Sequence, residues 1–328
     1  MSLEAFALAL PSIRHGAADI AAATGADVSF IADKVGVNER FVLGPGETGV
    51  GLAAAACRNL FEHQDGLREQ VDLVVCVTQN PDRRIPHNAP AIADALGLPA
   101  HVASFDISLG CSGFAMGVEI VEGFLARCGL DNAVLVTCDP YSRVIAPEDR
   151  DTNCVFGDAA TATWVRASGR RTTTLARDFG TDGAGADAIA IAAGGASRPL
   201  VGSNGSDLPA RDELRLRMHG RKVYNFVLDR IPASIDACLR RAGCGVQDVD
   251  LFVLHPGSAF MLQALVQRAG LPPDRVPSTM GRHGNAVSSS LPLLLAELDA
   301  AGRLGGRLVL MSGFGVGLSW ATLLVRFH

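Results

Sequence analysis

Four places in the chain carry residue types that could do chemistry together. Cys111 stands where a strand-like segment, Val102-Ala103-Ser104-Phe105-Asp106-Ile107, gives way through Ser108-Leu109-Gly110 to a helix-like one, Cys111-Ser112-Gly113-Phe114-Ala115-Met116-Gly117. A thiol at a helix N-terminus feels the partial positive charge of unpaired N–H groups, which favours the nucleophilic thiolate. The same N–H groups can stabilise an oxyanion on an attacked carbonyl. His255 follows the apolar run Leu251-Phe252-Val253-Leu254, at a strand end closed by Pro256-Gly257. Asn285 sits in Gly281-Arg282-His283-Gly284-Asn285-Ala286, and Gly313, Gly315 and Gly317 alternate directly after Leu308-Val309-Leu310-Met311. Taken singly, each has an ordinary structural reading: a packed thiol, a satisfied histidine, a capping asparagine, a flexible turn.

The spacing of the flanking elements weighs against three coincidences. Val71-Asp72-Leu73-Val74-Val75 is repeated as Val249-Asp250-Leu251-Phe252-Val253. Asp72 to Cys111 is 39 residues and Asp250 to Asn285 is 35; Cys111 to Leu135 and Asn285 to Val309 are both 24. Each interval holds a helix-like stretch followed by a second apolar run. These are two copies of a strand-helix-strand unit, which predicts an α/β fold of mostly parallel sheets flanked by helices. The division falls between residues 168 and 169, near Gly- and Ser-rich residues 180–205 that read as loops and hairpins. The duplication puts Cys111 and Asn285 at equivalent turns, and strand C-termini are where α/β folds build sites.

Composition narrows the classes. The chain has 328 residues, 48% hydrophobic, with only two Trp and two Tyr, enough for one two-lobed core or two domains. The net charge of −5 is dispersed, and no basic block points to nucleic acid or an anionic membrane. No run approaches the roughly 18 apolar residues that cross a bilayer. The N-terminus lacks a basic leader, so a cytoplasmic protein is expected. Eight cysteines without a C-x-x-C pair read as reduced thiols, seven of them small hydrophobes, with no zinc spacing. Neither G-x-G-x-x-G nor a P-loop is present.

In this order along the chain, the motifs resemble the β-ketoacyl-acyl carrier protein synthase III branch of the thiolase superfamily. The resemblance rests on Gly36-Val37-Asn38-Glu39-Arg40, on Asp106 to Phe114, on Asp149-Arg150, and on Phe156-Gly157-Asp158-Ala159-Ala160. His255, Gly284-Asn285 and the ending Gly313-Phe314-Gly315-Val316-Gly317-Leu318-Ser319-Trp320 complete it. It implies a five-layer α-β-α-β-α thiolase fold, a homodimer, and a catalytic set of Cys111, His255 and Asn285. The implied reaction loads an acyl group from coenzyme A onto Cys111, then condenses it with a decarboxylating malonyl thioester on acyl carrier protein or coenzyme A. No cofactor is implied beyond these thioester substrates.

In that frame, oxyanions rest on N–H groups at Cys111 and in the Gly315-Val316-Gly317 loop, and substrate contacts fall to Phe30, Lys34, Arg40, Ile85, Arg143, Arg150, Phe156, Met218, Gly220 and Ser258. Several positions depart from the pattern. Phe30 replaces a tryptophan that stacks on adenine against Arg150, and Lys34 replaces an arginine near the coenzyme A phosphates. Pro256-Gly257-Ser258 replaces Gln-Ala-Asn and is similar to type III polyketide synthases, while Phe260 replaces an arginine that docks the carrier. Ile85 replaces a phenylalanine that enters the partner's acyl pocket, which leaves room for a longer or bulkier acyl group. Arg143 could meet an acidic acyl tail. The competing expectations are an acyl-transferring relative without decarboxylation and a non-catalytic partner subunit, against which the intact Cys, His and Asn argue.

Overall fold

The structure is a computed structural model that describes residues 2–200 and 208–328, so the loops expected at 180–205 lie partly outside the described residues. The apolar runs form strands. Five of them, β1 (Ser2–Ala9), β2 (Leu73–Val77), β3 (Ala103–Ile107), β4 (Asn132–Cys138) and β5 (Ala160–Arg166), build one sheet in the order β1-β5-β4-β2-β3. Four more, β6 (Thr172–Thr181), β7 (Leu251–Leu254), β8 (Leu308–Gly315) and β9 (Ser319–Phe327), build a second in the order β7-β8-β9-β6. Every residue of β2, β4, β7 and β8 is buried, which is why these strands read as continuous apolar runs rather than alternating ones.

The expectation of mostly parallel sheets needs correction. Only β2 with β3 and β4, and β7 with β8, pair in parallel; β4–β5, β5–β1, β8–β9 and β9–β6 are antiparallel. The cause is local for β8 and β9: three residues join them, and so short a turn can only reverse the chain.

Six helices cover the sheets: α1 (Gly49–Glu62), α2 (Asn88–Ala95), α3 (Gly113–Cys128), α4 (Gly220–Ala242), α5 (Ala259–Arg268) and α6 (Ser290–Ala300). Helices α1 and α2 pack outside the first sheet, α4 and α5 lie on the second sheet's side, and α3 and α6 contact strands of both sheets. That is the five-layer α-β-α-β-α thiolase arrangement. Helix α6 (SLPLLLAELDA) is buried at eight of its eleven positions, as a helix enclosed between two sheets must be. Helix α3 buries Phe114, Val118, Val121 and Leu125 in the same central core and stops at Gly129, which takes φ +67°.

The repeated Val-Asp-Leu has one structural use in both halves. The Asp72 carboxylate accepts the N–H groups of Asp131 and Asn132, and that of Asp250 accepts the N–H of Leu308. In both halves the aspartate N–H also donates back, Asp72 to Asn132 O and Asp250 to Leu308 O, at 2.9 Å. Each aspartate thus fixes the register of a parallel strand pair at its N-terminal end.

Candidate active site

Cys111 lies in the turn between β3 and α3 and is 5% exposed. Strand β8 runs past it closely enough to require glycine. A Cβ on Gly313 would stand 2.4 Å from the Cys111 carbonyl oxygen, and one on Gly315 would stand 2.9 Å from Sγ. This approach brings the backbone N–H of Val316 to the thiol, where it joins the N–H of Cys111 itself. Two N–H groups beside the nucleophilic sulfur are donors available to an oxyanion that forms on the adjacent carbonyl. Gly317 lies one residue beyond, before Ser319, whose hydroxyl donates to the Val316 carbonyl.

The expected thiolate is not the resting state. Burial, with Asp139's charge nearby, pushes the Cys111 thiol up to about 12, and the two N–H groups recover only part of that shift. Attack therefore needs an acceptor for the proton. Alkylation of Cys111 by iodoacetamide is expected to rise about a hundredfold between pH 7 and pH 9, because the thiolate fraction grows tenfold per unit below its pKa. A rate flat across that range would show a thiolate already formed.

His255 leaves the end of β7 with its N–H on Ser312 O, at 2.9 Å, and its ring meets Phe314 edge-on at 5.6 Å. It is 3% exposed, and burial pushes its pKa down to about 3, so the imidazole is neutral. Asn285 is stitched to the first half on both sides: its N–H donates to Val155 O, and its carbonyl accepts from Gly157 N. Its amide is oriented by Val287, whose N–H donates to Oδ1 at 2.9 Å. That leaves Nδ2 facing His255 Nε2 at 3.2 Å and the Gly257 carbonyl at 3.4 Å. A donor at Nδ2 makes Nε2 an acceptor, while the buried His255 Nδ1 has no hydrogen-bond partner among the described residues.

Cys111, His255 and Asn285 line one cavity of about 330 Å³ with Phe156, Met218, Gly220, Ser258, Gly315 and Val316. The other expected contacts lie elsewhere. Phe30 and Arg150 stack on each other outside it, with the guanidinium 4.4 Å from the ring centroid. Lys34 is exposed on the same short helical turn as Phe30. Arg40 points inward: it is buried and donates to the Phe156 and Asn153 carbonyls and to Asn153 Oδ1, so it braces the turn that receives Asn285 rather than meeting substrate. Arg143 donates from one guanidinium nitrogen to the Gly44 and Glu47 carbonyls and does not line the cavity. Ile85 stands outside this chain's cavity and is 89% exposed.

Of the lining residues not singled out from sequence, three carry polar groups. Tyr141 donates to Gln79 Oε1 at 3.1 Å, Tyr224 stacks on Phe260 at 5.6 Å, and Arg221 sits exposed beside them. The available signal was rarity, since both tyrosines of the chain line this one cavity.

A duplicated five-layer fold with a thiol, an imidazole and a carboxamide in one cavity defines a thiolase-fold acyltransferase. Residues 105–183 match the family model for 3-oxoacyl-[acyl-carrier-protein] synthase III, and residues 239–327 match that for its C-terminal part. The chain is 33% identical to β-ketoacyl-[acyl-carrier-protein] synthase III 2 of Streptomyces coelicolor, covering 91% of this chain and 85% of that one. A crystal structure of a 3-oxoacyl-(acyl-carrier-protein) synthase III superposes with a TM-score of 0.91 at 34% identity, covering 99% of both chains. The priming β-ketosynthase of the R1128 polyketide pathway superposes with a TM-score of 0.86 at 26% identity, covering 99% and 96%. The chain belongs to the β-ketoacyl-acyl carrier protein synthase III family, whose members are condensing acyltransferases.

Proposed function

We propose that the chain condenses an acyl group held on Cys111 with a malonyl thioester, with decarboxylation, to start a fatty-acid or polyketide chain. The observation that carries this reading is the convergence of Cys111, His255 and Asn285 on one apolar cavity, with the Cys111 and Val316 N–H groups aimed at the sulfur. In the first half-reaction, Sγ attacks the carbonyl carbon of an acyl-CoA, and the thiol proton passes to His255 Nε2. The oxyanion rests on the two N–H groups, the bond to the coenzyme A sulfur breaks, and that sulfur takes the proton from His255. In the second, the malonyl thioester loses carbon dioxide. The remaining His255 proton moves from Nδ1 to Nε2 through water, and Nε2–H and Asn285 Nδ2–H donate to the malonyl carbonyl oxygen as enolate charge develops. The new carbanion attacks the acyl-Cys111 carbonyl, a carbon–carbon bond forms, and the Cys111 sulfur leaves and is reprotonated by water.

The test is a purified chain given acyl-CoA and a malonyl thioester labelled in its free carboxyl. Labelled carbon dioxide should appear together with a 3-oxoacyl thioester. Acyl transfer to another acceptor without carbon dioxide would remove the reading.

Tyr141, Phe156, Ile189, Val227 and Phe314 give the cavity an apolar wall suited to the acyl chain. Adenine would enter between Phe30 and Arg150 by displacing the guanidinium that now covers the ring. Phe30→Ala is therefore expected to raise KM for acyl-CoA about tenfold with kcat little changed, given roughly 1–3 kcal/mol for a base stacked on an aromatic ring. An unchanged KM would place coenzyme A elsewhere. At the mouth, exposed Arg221 offers a positive charge to a phosphopantetheine phosphate or an acidic carrier, where Phe260 is 54% exposed.

A homodimer would cover the exposed Ile85 and extend the edge strand β3, whose residues are all half-buried. Sedimentation should give twice the 34.2 kDa chain mass; a monomer that is fully active would remove this part. No described helix is long and apolar enough to cross a membrane. All eight cysteines are free, which suits the reducing cytoplasm.

A further inference from the structure

Val287 is buried, β-branched, and held at φ +53°, the only non-glycine residue with positive φ among those described. That conformation is unfavourable for such a side chain and persists only where the surroundings impose it. Two useful contacts come from it. The Val287 N–H orients the Asn285 amide, and its Cγ1 packs where a Cβ on Gly110, beside Cys111, would lie 3.5 Å away. The turn is held on both sides of it: Asn285 Oδ1 accepts the Val287 N–H, Ser288 bonds to Asp139, and the Ser289 hydroxyl reaches the Thr137 and Ala159 carbonyls.

We propose that Asp139 is a positioning residue for Asn285, acting by clamping Ser288 against the first half of the molecule. Asp139 follows β4 in the seam between the sheets and is 1% exposed. Its Oδ2 accepts the Ser288 hydroxyl at 2.5 Å and the Ser288 N–H at 3.3 Å. Its Oδ1 accepts the Gln79 N–H at 2.7 Å and the Thr78 hydroxyl at 3.4 Å, at the C-terminal end of β2. One carboxylate thus joins the turn after β2 to the turn that carries Asn285 and Val287. Burial pushes its carboxyl up to about 6, so it is ionised at neutral pH and gives all four donors a charged acceptor. The proposed condensation makes no direct use of Asp139, which touches neither sulfur nor substrate in that scheme.

The inference rests on the condensing reaction proposed above and concerns its second half. Asn285 acts on the malonyl oxygen, whereas acyl loading uses Cys111, His255 and the N–H of Val316. Asp139→Asn and Ser288→Ala are each compared with the parent for two rates: Cys111 acylation by acyl-CoA, read by intact mass, and release of labelled carbon dioxide with condensation. The expected result is a loss of condensation of tenfold or more in kcat and kcat/KM alike, with acylation within about threefold of the parent in Ser288→Ala and no slower than the parent in Asp139→Asn, where loss of the charge near Cys111 eases its ionisation. Condensation unchanged in both variants would overturn the proposal, and so would acylation and condensation falling together. Should Asp139→Asn fail to fold, Ser288→Ala decides by the same two rates, since it removes one clamping donor and leaves the carboxylate. A parent that releases no carbon dioxide would refute the condensing reading instead, so the two failures are distinct.

Discussion

Cys111→Ala is expected to give a folded protein that takes up no acyl group from any acyl-CoA and condenses at least about 10⁵-fold more slowly than the parent. The size follows from the chemistry. The thiol is the only nucleophile in the proposed scheme, and its removal deletes the covalent intermediate rather than weakening one contact. The fold should survive, because the change removes one sulfur from a cavity wall and leaves the backbone contacts of Cys111 to strand β8 in place. His255 and Asn285 also remain, so slow release of carbon dioxide from a malonyl thioester, uncoupled from carbon–carbon bond formation, should persist. Intact-mass measurement after incubation with a panel of acyl-CoAs reads the first effect directly. An acyl adduct retained by the variant would mean that another residue carries the acyl group.

What the sequence revealed and what it hid have separate physical causes. The duplication was legible because Asp72 and Asp250 perform one task, fixing a parallel strand pair by accepting N–H groups of its second strand. The alternating glycines were legible as a place for close approach, and the structure identifies the thing approached as Cys111. The spacing did not carry the pairing directions, since β8 and β9 reverse through three residues that periodicity alone does not distinguish from a longer crossing. Charged residues misled for a related reason. Arg40 and Arg143 look like ligands for anionic groups in a linear motif, yet their guanidinium groups donate to backbone carbonyls of distant loops. Asp139 gave no signal at all, because its importance depends on Ser288, a residue 149 positions away in the other half. The high resting pKa of Cys111 was hidden too: burial outweighs the N–H groups at the turn, and burial belongs to the folded chain.

His255→Ala and Asn285→Ala are expected to separate the two half-reactions. Each variant removes a donor to the developing enolate, and loss of one such donor costs about 10²–10³ in rate. Condensation should therefore fall by that much in both. Acylation should respond differently. His255 carries a lone pair at Nε2 and receives the Cys111 proton, so His255→Ala should slow acylation by about 10²–10⁴ as well. Asn285→Ala keeps the backbone bonds to Val155 and Gly157 that hold its turn, and removes only an amide that the acylation step does not use. Its acylation rate should stay close to that of the parent. The double variant should condense little worse than the poorer single one, because both groups act on one oxygen and their effects do not multiply. Equal loss of both half-reactions in Asn285→Ala would be incompatible with an amide that acts only on the malonyl group, and would move Asn285 into the acylation step beside His255.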